Sequence, residues 1–260
     1  MNILFVGDIV GRPGRQALAE RLPGIVDAHG VDFTIANCEN SAGGLGVTER
    51  TATQLLDAGV DVLTGGDHSW DRTEGIPFLD KCERVLRPAN YPAGTAGRGS
   101  GVYTSSEGLQ VGVVNLQGRV FMKPLECPFR TGLELVRSTR EETPIVVVDF
   151  HAEATSEKTA MGHYLAGIAT CVLGTHTHVQ TADERVLTGG TAYISDVGMT
   201  GPTDSVIGMQ TEVAMERFLM GMPRRYEVGD GPVVLSAVVI DVDETTGRAR
   251  NIERVASFGE

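Results

Sequence analysis

Asn2-Ile3-Leu4-Phe5-Val6-Gly7-Asp8 opens the chain with an apolar run that stops at a glycine and an acidic side chain, and the pattern returns four times. Phe33 to Ala36 leads to Glu39 and Asn40, Val60 to Leu63 to Asp67 and His68, Ile145 to Val148 to His151, and Cys171 to Leu173 to His176 and His178. Short apolar runs bounded by turn residues read as buried strands. In an open sheet layered with helices, ligand-binding groups collect in the crevice at the carboxyl ends of the strands. Segments remote in sequence then deliver carboxylate, amide and imidazole groups to one place, enough to hold two metal ions.

The intervening sequence reads as helix. Pro13 sits where a helix would begin, and Ala17, Leu18, Leu22, Ile25 and Val26 recur at near-helical spacing, with Pro23 expected to kink or divide that helix. Thr48 can cap a second helix that passes Leu55 and Leu56 and stops at Gly59. Simple β/α alternation ends after this point. Val102 to Thr104 and Leu109 to Leu116 suit an antiparallel hairpin, a helix is expected around Thr159 to Gly167, and β-structure returns over Val233 to Val242 and Ile252 to Phe258. Two packed mixed sheets with helices outside, a four-layer αββα sandwich of the α/β class, accommodate the mixture. The 260 residues, 41% hydrophobic, carry no internal repeat, linker or low-complexity tract, and residues 1–260 are expected to form one domain.

A formal charge of −12, from 22 Lys+Arg against 34 Asp+Glu, opposes a broad nucleic-acid or anionic-membrane surface. It leaves room for a small anionic substrate, because a metal centre is locally strongly positive. Cys38, Cys82, Cys127 and Cys171 form no Cys-x-x-Cys pair, and no signal-peptide or membrane-span pattern is present, so a cytoplasmic protein is expected.

Each candidate ligand has an ordinary reading beside the functional one. Asp8 could cap a helix, and Gly7 to Gly14 hints at a phosphate-cradling loop, although the Gly-Lys-Ser/Thr of a Walker loop is absent. Glu39 could be a polar strand end, but an acidic group so near a buried run needs a charged partner or a metal. Asp67 could build an Asx turn, and His-x-His is common on surfaces. The His176-Thr177-His178 pair needs the chain to turn if both rings are to serve one centre, which Gly174 permits. Asp149 or Glu153 is the expected orienting partner of His151. His29 and His163 fall in helical stretches and receive no functional role. The set as a whole, four histidines and three acids at matching strand ends, favours a dimetal site.

In order and type, these segments resemble the motifs of the calcineurin-like metallophosphoesterases: Gly7-Asp8-Ile9-Val10, Asn37-Cys38-Glu39-Asn40, Gly66-Asp67-His68, Phe150-His151 and Gly174-Thr175-His176-Thr177-His178. Glu39 in place of a bridging Asp, and a first motif without its His, resemble the YmdB-like bacterial cyclic-nucleotide phosphodiesterases, as does Tyr193-Ile194-Ser195-Asp196-Val197-Gly198-Met199-Thr200-Gly201-Pro202. The resemblance implies the metallophosphoesterase-like sandwich. It also implies that Glu39 bridges two ions, that Asp8, Asn40 and His178 hold one and Asp67, His151 and His176 the other, and that His68 is left to act on substrate. Asp67 stands where that family usually has Asn.

These residue types suit in-line attack on a phosphate diester, with 2′,3′-cyclic nucleotides the substrate class implied, by a metal-bridging hydroxide with His68 as proton donor. Imidazole and carboxylate ligands without thiolate favour two divalent or mixed-valence transition-metal ions per chain, iron or manganese, with zinc next. Two other readings stay open: a metal-dependent phosphomonoesterase, and a metal-stabilised nucleotide- or RNA-associated regulatory module without turnover. A small phosphodiester or cyclic nucleotide is the expected partner, and homo-oligomeric assembly is left open.

Overall fold

In the computed structural model, which describes residues 1–259, all five apolar runs form strands. The chain begins β1 (Asn2–Val6), β2 (Asp8–Ile9), α1 (Gly11–His29), β3 (Phe33–Asn37), α2 (Glu49–Asp57) and β4 (Val62–Thr64). A 3-10 turn (Thr73–Gly75) and the short α3 (Ile76–Lys81) precede the hairpin of β5 (Ser100–Thr104) and β6 (Gln110–Gln117). Then come α4 (Pro128–Thr139), β7 (Val146–His151), α5 (Thr155–Tyr164), β8 (Cys171–Thr175), β9 (Arg185–Leu187), β10 (Thr191–Ile194) and β11 (Met199–Pro202). The helix α6 (Thr211–Met220) and the long strands β12 (Val233–Val242) and β13 (Ala249–Gly259) complete the described residues.

Two mixed sheets result. One runs β2-β11-β12-β1-β3-β4, with β13 also paired to β12, and the other runs β5-β6-β7-β8-β10-β9. Strand alternation sorts side chains into layers. On β1, Ile3 and Phe5 join Val147 and Leu173 in the core between the sheets, whereas Leu4 and Val6 pack outward with Leu18 and Leu22 of α1 and Leu55 of α2. On β7, Val147 faces the inter-sheet core, while Val146 and Val148 face out against Val136 of α4 and Met161 of α5. The four-layer αββα sandwich expected from the sequence is the observed fold.

Three local expectations need correction. Pro23 does not divide α1, which is continuous from Gly11 to His29. Pro23 and Gly24 are exposed while Leu22 and Ile25 on either side are buried, so the lost backbone donor faces water and the apolar face stays intact. The helix expected around Thr159 to Gly167 starts at Thr155 and ends at Tyr164, with Gly167 in the following turn at φ +81°. The last strand is longer than Ile252 to Phe258, because pairing with β12 extends from Val233↔Gly259 to Val242↔Ala249. Thr48 does cap α2, reciprocally with Thr51, and Gly59 follows at φ +108°.

Gly7 separates β1 from β2 and passes tightly beside Gly198. A Cβ at position 7 would lie 1.9 Å from the Gly198 carbonyl oxygen, the same oxygen that accepts the Asp8 backbone N–H at 3.0 Å. Gly7→Ala is therefore expected to destabilise by about 1–3 kcal/mol through forced backbone displacement, read as a lower denaturant midpoint with an unchanged slope. A midpoint equal to that of the parent protein would contradict the tight approach.

Candidate metal centre

The carboxyl ends of β1, β3 and β4, parallel neighbours in one sheet, meet those of β7 and β8, parallel neighbours in the other. All eight residues singled out in the sequence converge there. Donor atoms of Glu39, Asp67, His151 and His176 all lie within 4.8 Å of one another. His151 Nε2 is 3.2 Å from both Glu39 Oε1 and Asp67 Oδ1, and His176 Nδ1 is 3.0 Å from His151 Nε2 and 3.6 Å from Asp67 Oδ1. Beside this group stand Asp8, Asn40 and His178: Asp8 Oδ1 lies 3.9 Å from both His178 Nε2 and His151 Nδ1, and Asn40 Nδ2 contacts His178 Nε2 at 3.1 Å and Glu39 Oε1 at 3.2 Å.

Surrounding hydrogen bonds decide which imidazole nitrogens are free. Thr175 Oγ1 donates its only proton to Asp149 Oδ1 at 2.7 Å, so at 2.9 Å it can only accept from His151 Nδ1. His178 Nδ1 donates to the Ile207 carbonyl at 2.8 Å, and His176 Nε2 to Glu153 Oε2 at 3.2 Å. Each ring therefore turns its second nitrogen toward the carboxylates, where it can give a lone pair to a metal ion. This is the arrangement that orients metal-binding histidines. Asp149 reaches His151 through Thr175, and Glu153 serves His176 rather than His151.

Burial and charge act against each other here. Burial and the neighbouring His151 lower the His176 pKa to about 4, leaving that ring neutral. Burial also opposes charge on His151, but Glu39, Asp67 and Asp8 overcome it and hold its pKa well above the ordinary value. Asp8, fully buried, is pushed up to about 6 by burial, against the pull of His178 and His151, and its Oδ1 has no hydrogen-bond partner. An orphaned carboxylate oxygen, converging lone pairs and further carboxylates fit divalent metal ions. Cys38 adds no thiolate, since burial pushes its pKa up.

The glycines of these loops act by size. Gly66 would place a Cβ 2.2 Å from Glu39 Oε2 and 2.4 Å from His151 Nε2, and Gly174 would place one 1.8 Å from the Ser195 carbonyl oxygen. Gly174 belongs to β8 and does not make the turn expected of it. His176 and His178 turn the chain themselves, at φ +102° and +65°, conformations that cost about 1–3 kcal/mol each and need support. Support comes from Asp196, whose Oδ2 accepts from Thr177 N at 3.0 Å, Thr177 Oγ1 at 2.7 Å and buried Lys158 Nζ at 2.7 Å. Lys158, Thr175 and the Ile207 carbonyl were not expected from the sequence; Asp196 lies in the Tyr193 to Pro202 stretch, without a role assigned.

His68 stands at the rim. Its backbone N–H donates to Glu39 Oε2 at 3.1 Å, its Nδ1 meets Asp71 Oδ2 at 2.8 Å, and its Nε2 lies 3.8 Å from Asp67 Oδ2. Burial would lower its pKa, but Glu39, Asp67 and Asp71 raise it above the ordinary value. His29 pairs with Glu253 at 3.0 Å and His163 lies on α5, both outside the cluster.

The profile of YmdB-like proteins matches residues 4–255. The chain belongs to the YmdB-like family. It is 48% identical over 255 residues to the 2′,3′-cyclic-nucleotide 2′-phosphodiesterase of Bacillus subtilis strain 168, covering 98% of this chain and 96% of that protein. A Thermus thermophilus structure superposes with a TM-score of 0.93 at 41% identity, over 100% of both chains. A Mycoplasma pneumoniae structure described as a novel phosphatase gives 0.93 at 32%, over 99% of this chain and 93% of that one.

The support network makes two expectations. Thr175→Val removes the acceptor of His151 Nδ1 and should weaken metal affinity by about 10–100-fold, measured by competition with a chromogenic chelator; unchanged affinity would remove Thr175 from the support network. Lys158→Met strands the buried Asp196 carboxylate and should cost about 3–5 kcal/mol, with a Lys158→Met/Asp196→Leu double variant closer to the parent. Equal losses in the two variants, measured by urea denaturation, would deny the pair its role.

Proposed function

We propose that this YmdB-like chain is a dimetal phosphoric diester hydrolase acting on 2′,3′-cyclic nucleotides, the activity carried in the name of its 48% identical Bacillus subtilis relative. The observation that carries the reading is the set of histidine ring nitrogens turned onto Glu39, Asp67 and Asp8. Asp67, His151 and His176 would hold one ion, Asp8, Asn40 and His178 the other, with Glu39 between them. Asn40 presents its amide nitrogen to Glu39 and His178, so ligation through its carbonyl requires the amide to turn over. Asp67, where the resemblance implies Asn, adds negative charge to the centre, and imidazole and carboxylate donors without thiolate suit manganese or iron, with zinc a third choice.

When bound, the ions supply polarisation of the phosphoryl oxygens and a lowered pKa for water in the site. The protein's own part is orientation and proton transfer. Asp71 holds Nδ1 of His68, and Glu39, Asp67 and Asp71 raise the pKa of the ring, which favours a proton on Nε2 at the rim of the cluster, suited to a departing ribose oxygen. The support for one catalytic domain is that both sheets contribute ligands. The four free cysteines support a reducing, cytoplasmic setting, and among the described residues no helix is long and apolar enough to cross a membrane.

Elemental analysis of protein purified without chelator, paired with 2′,3′-cyclic AMP hydrolysis before and after chelation and metal return, tests this. Two transition-metal ions per chain and reversible loss of turnover are expected, with bis(p-nitrophenyl) phosphate cleaved and p-nitrophenyl phosphate poorly cleaved; turnover of the monoester alone would reject a diesterase. His68→Asn should lower kcat by about 10²–10⁴-fold with metal content unchanged. Full activity in that variant would remove His68 from the chemistry.

A further inference from the structure

On the far side of the loop that carries Glu39 and Asn40, four arginines, Arg12, Arg15, Arg50 and Arg72, line a cavity of about 770 Å³. It lies between the first turns of α1 and α2, and among the described residues Glu74 is the only carboxylate on its wall. Among the described residues, the arginine ion pairs belong to Arg98, Arg224, Arg250 and Arg254, so none of these four guanidiniums is neutralised. In a chain of formal charge −12, such a concentration calls for an occupant.

The four arginines differ in what they have left to offer. Arg72 is spent on the loop, donating to the carbonyls of Ala42 and Leu45. Arg15, 7% exposed, donates Nε to Gln54 Oε1 at 2.8 Å and Nη1 to the Ser41 carbonyl, which leaves Nη2 without a partner among the described residues. Arg12 and Arg50 are exposed and make no side-chain hydrogen bond among the described residues. Burial, and then the charges of Arg50 and Arg12, press the Arg15 guanidinium below its ordinary range. Guanidiniums bind phosphate oxygens in bidentate fashion, and an anion among three of them relieves their repulsion. The volume exceeds the needs of one phosphate and falls in the range of nucleotide-sized ligand pockets. No aromatic side chain lines the cavity, so phosphate rather than a stacked base is the recognisable chemistry.

We propose that this cavity is a second, non-catalytic anion site, in which Arg12, Arg15 and Arg50 bind a small ligand carrying two or more linked phosphate groups. Gly7 to Gly14, whose sequence hints at a phosphate-cradling loop without matching a Walker loop, contributes Arg12 at the opening turn of α1. The site stands whether or not the metal cluster hydrolyses cyclic nucleotides.

Isothermal titration of the metal-loaded protein with inorganic pyrophosphate, and separately with adenosine, tests the site. Pyrophosphate should bind and adenosine should not. Arg12→Gln/Arg50→Gln should weaken pyrophosphate binding by about tenfold or more, the effect of losing charge-assisted hydrogen bonds, whereas His178→Asn in the metal cluster should leave it in place. A melting temperature and metal content equal to the parent's separate loss of the site from loss of the fold; if the double variant melts early, Arg50→Gln alone carries the test. The pyrophosphate-binding event of this site is the one retained in His178→Asn; if the arginine substitutions weaken no such event, or if the parent binds no pyrophosphate, the proposal is overturned. Binding of single-stranded RNA without pyrophosphate overturns it in favour of a nucleic-acid surface.

Discussion

His151 Nε2 and His176 Nδ1 face each other 3.0 Å apart, each with its opposite ring nitrogen already committed as a donor. Two lone pairs at that separation repel unless a cation lies between or beside them. Glu39 and Asp67 raise the His151 pKa well above its ordinary value, which favours a proton there in the absence of metal, while burial and His151 lower that of His176 to about 4. A metal ion competes for the same electrons, so ion binding at this centre displaces protons. Glu39, Asp67 and Asp8 supply the negative charge that makes either occupant stable. Their burial is tolerable only because imidazoles and backbone N–H groups meet them.

That requirement explains features of the fold remote from any reaction. The ligands come from both sheets, so the carboxyl ends of β1, β3, β4, β7 and β8 must close on one point, and small residues stand where backbones approach. Gly66 clears Glu39 and His151, Gly174 clears Ser195, and Gly7 clears Gly198. His176 and His178 hold positive φ because Asp196 grips the intervening Thr177, and Asp196 is in turn neutralised by Lys158. A buried ion pair is a weak source of stability, but it is effective in fixing one loop geometry against alternatives.

The strand-end ligands were legible because they follow β-branched apolar runs, a local pattern. Asp8, Glu39, Asp67, His151, His176 and His178 could be picked out that way, and the unbroken apolar runs Ile3 to Val6 and Val146 to Val148 agree with strands covered on both faces. What stayed hidden is non-local. The turn at His176 and His178 was attributed to Gly174, since nothing in the sequence reveals that a carboxylate 20 residues beyond His176 can hold non-glycine residues in a left-handed conformation. Thr175 was not singled out, and its function depends on the neighbouring strand β7, where His151 is its register partner and Asp149 accepts its hydroxyl proton. Pro23 was misjudged for the same reason: whether a proline breaks a helix depends on which face lies against the core.

The segment after Asn40 joins the two charged regions of the molecule. Glu39 and Asn40 face the metal cluster, while the carbonyls of Ser41, Ala42 and Leu45, in a loop with neither helix nor strand to receive them, are taken by Arg15 and Arg72. The opening N–H of α1, at Gly11, takes the Asn40 carbonyl at 2.9 Å. Backbone carbonyls that lack partners would let this loop drift, and a drifting loop could not hold Glu39 between two groups of ligands. The arginines therefore have a structural use before any anion arrives. An anion held by Nη2 of Arg15 would share that guanidinium with the Ser41 carbonyl, two residues beyond Glu39.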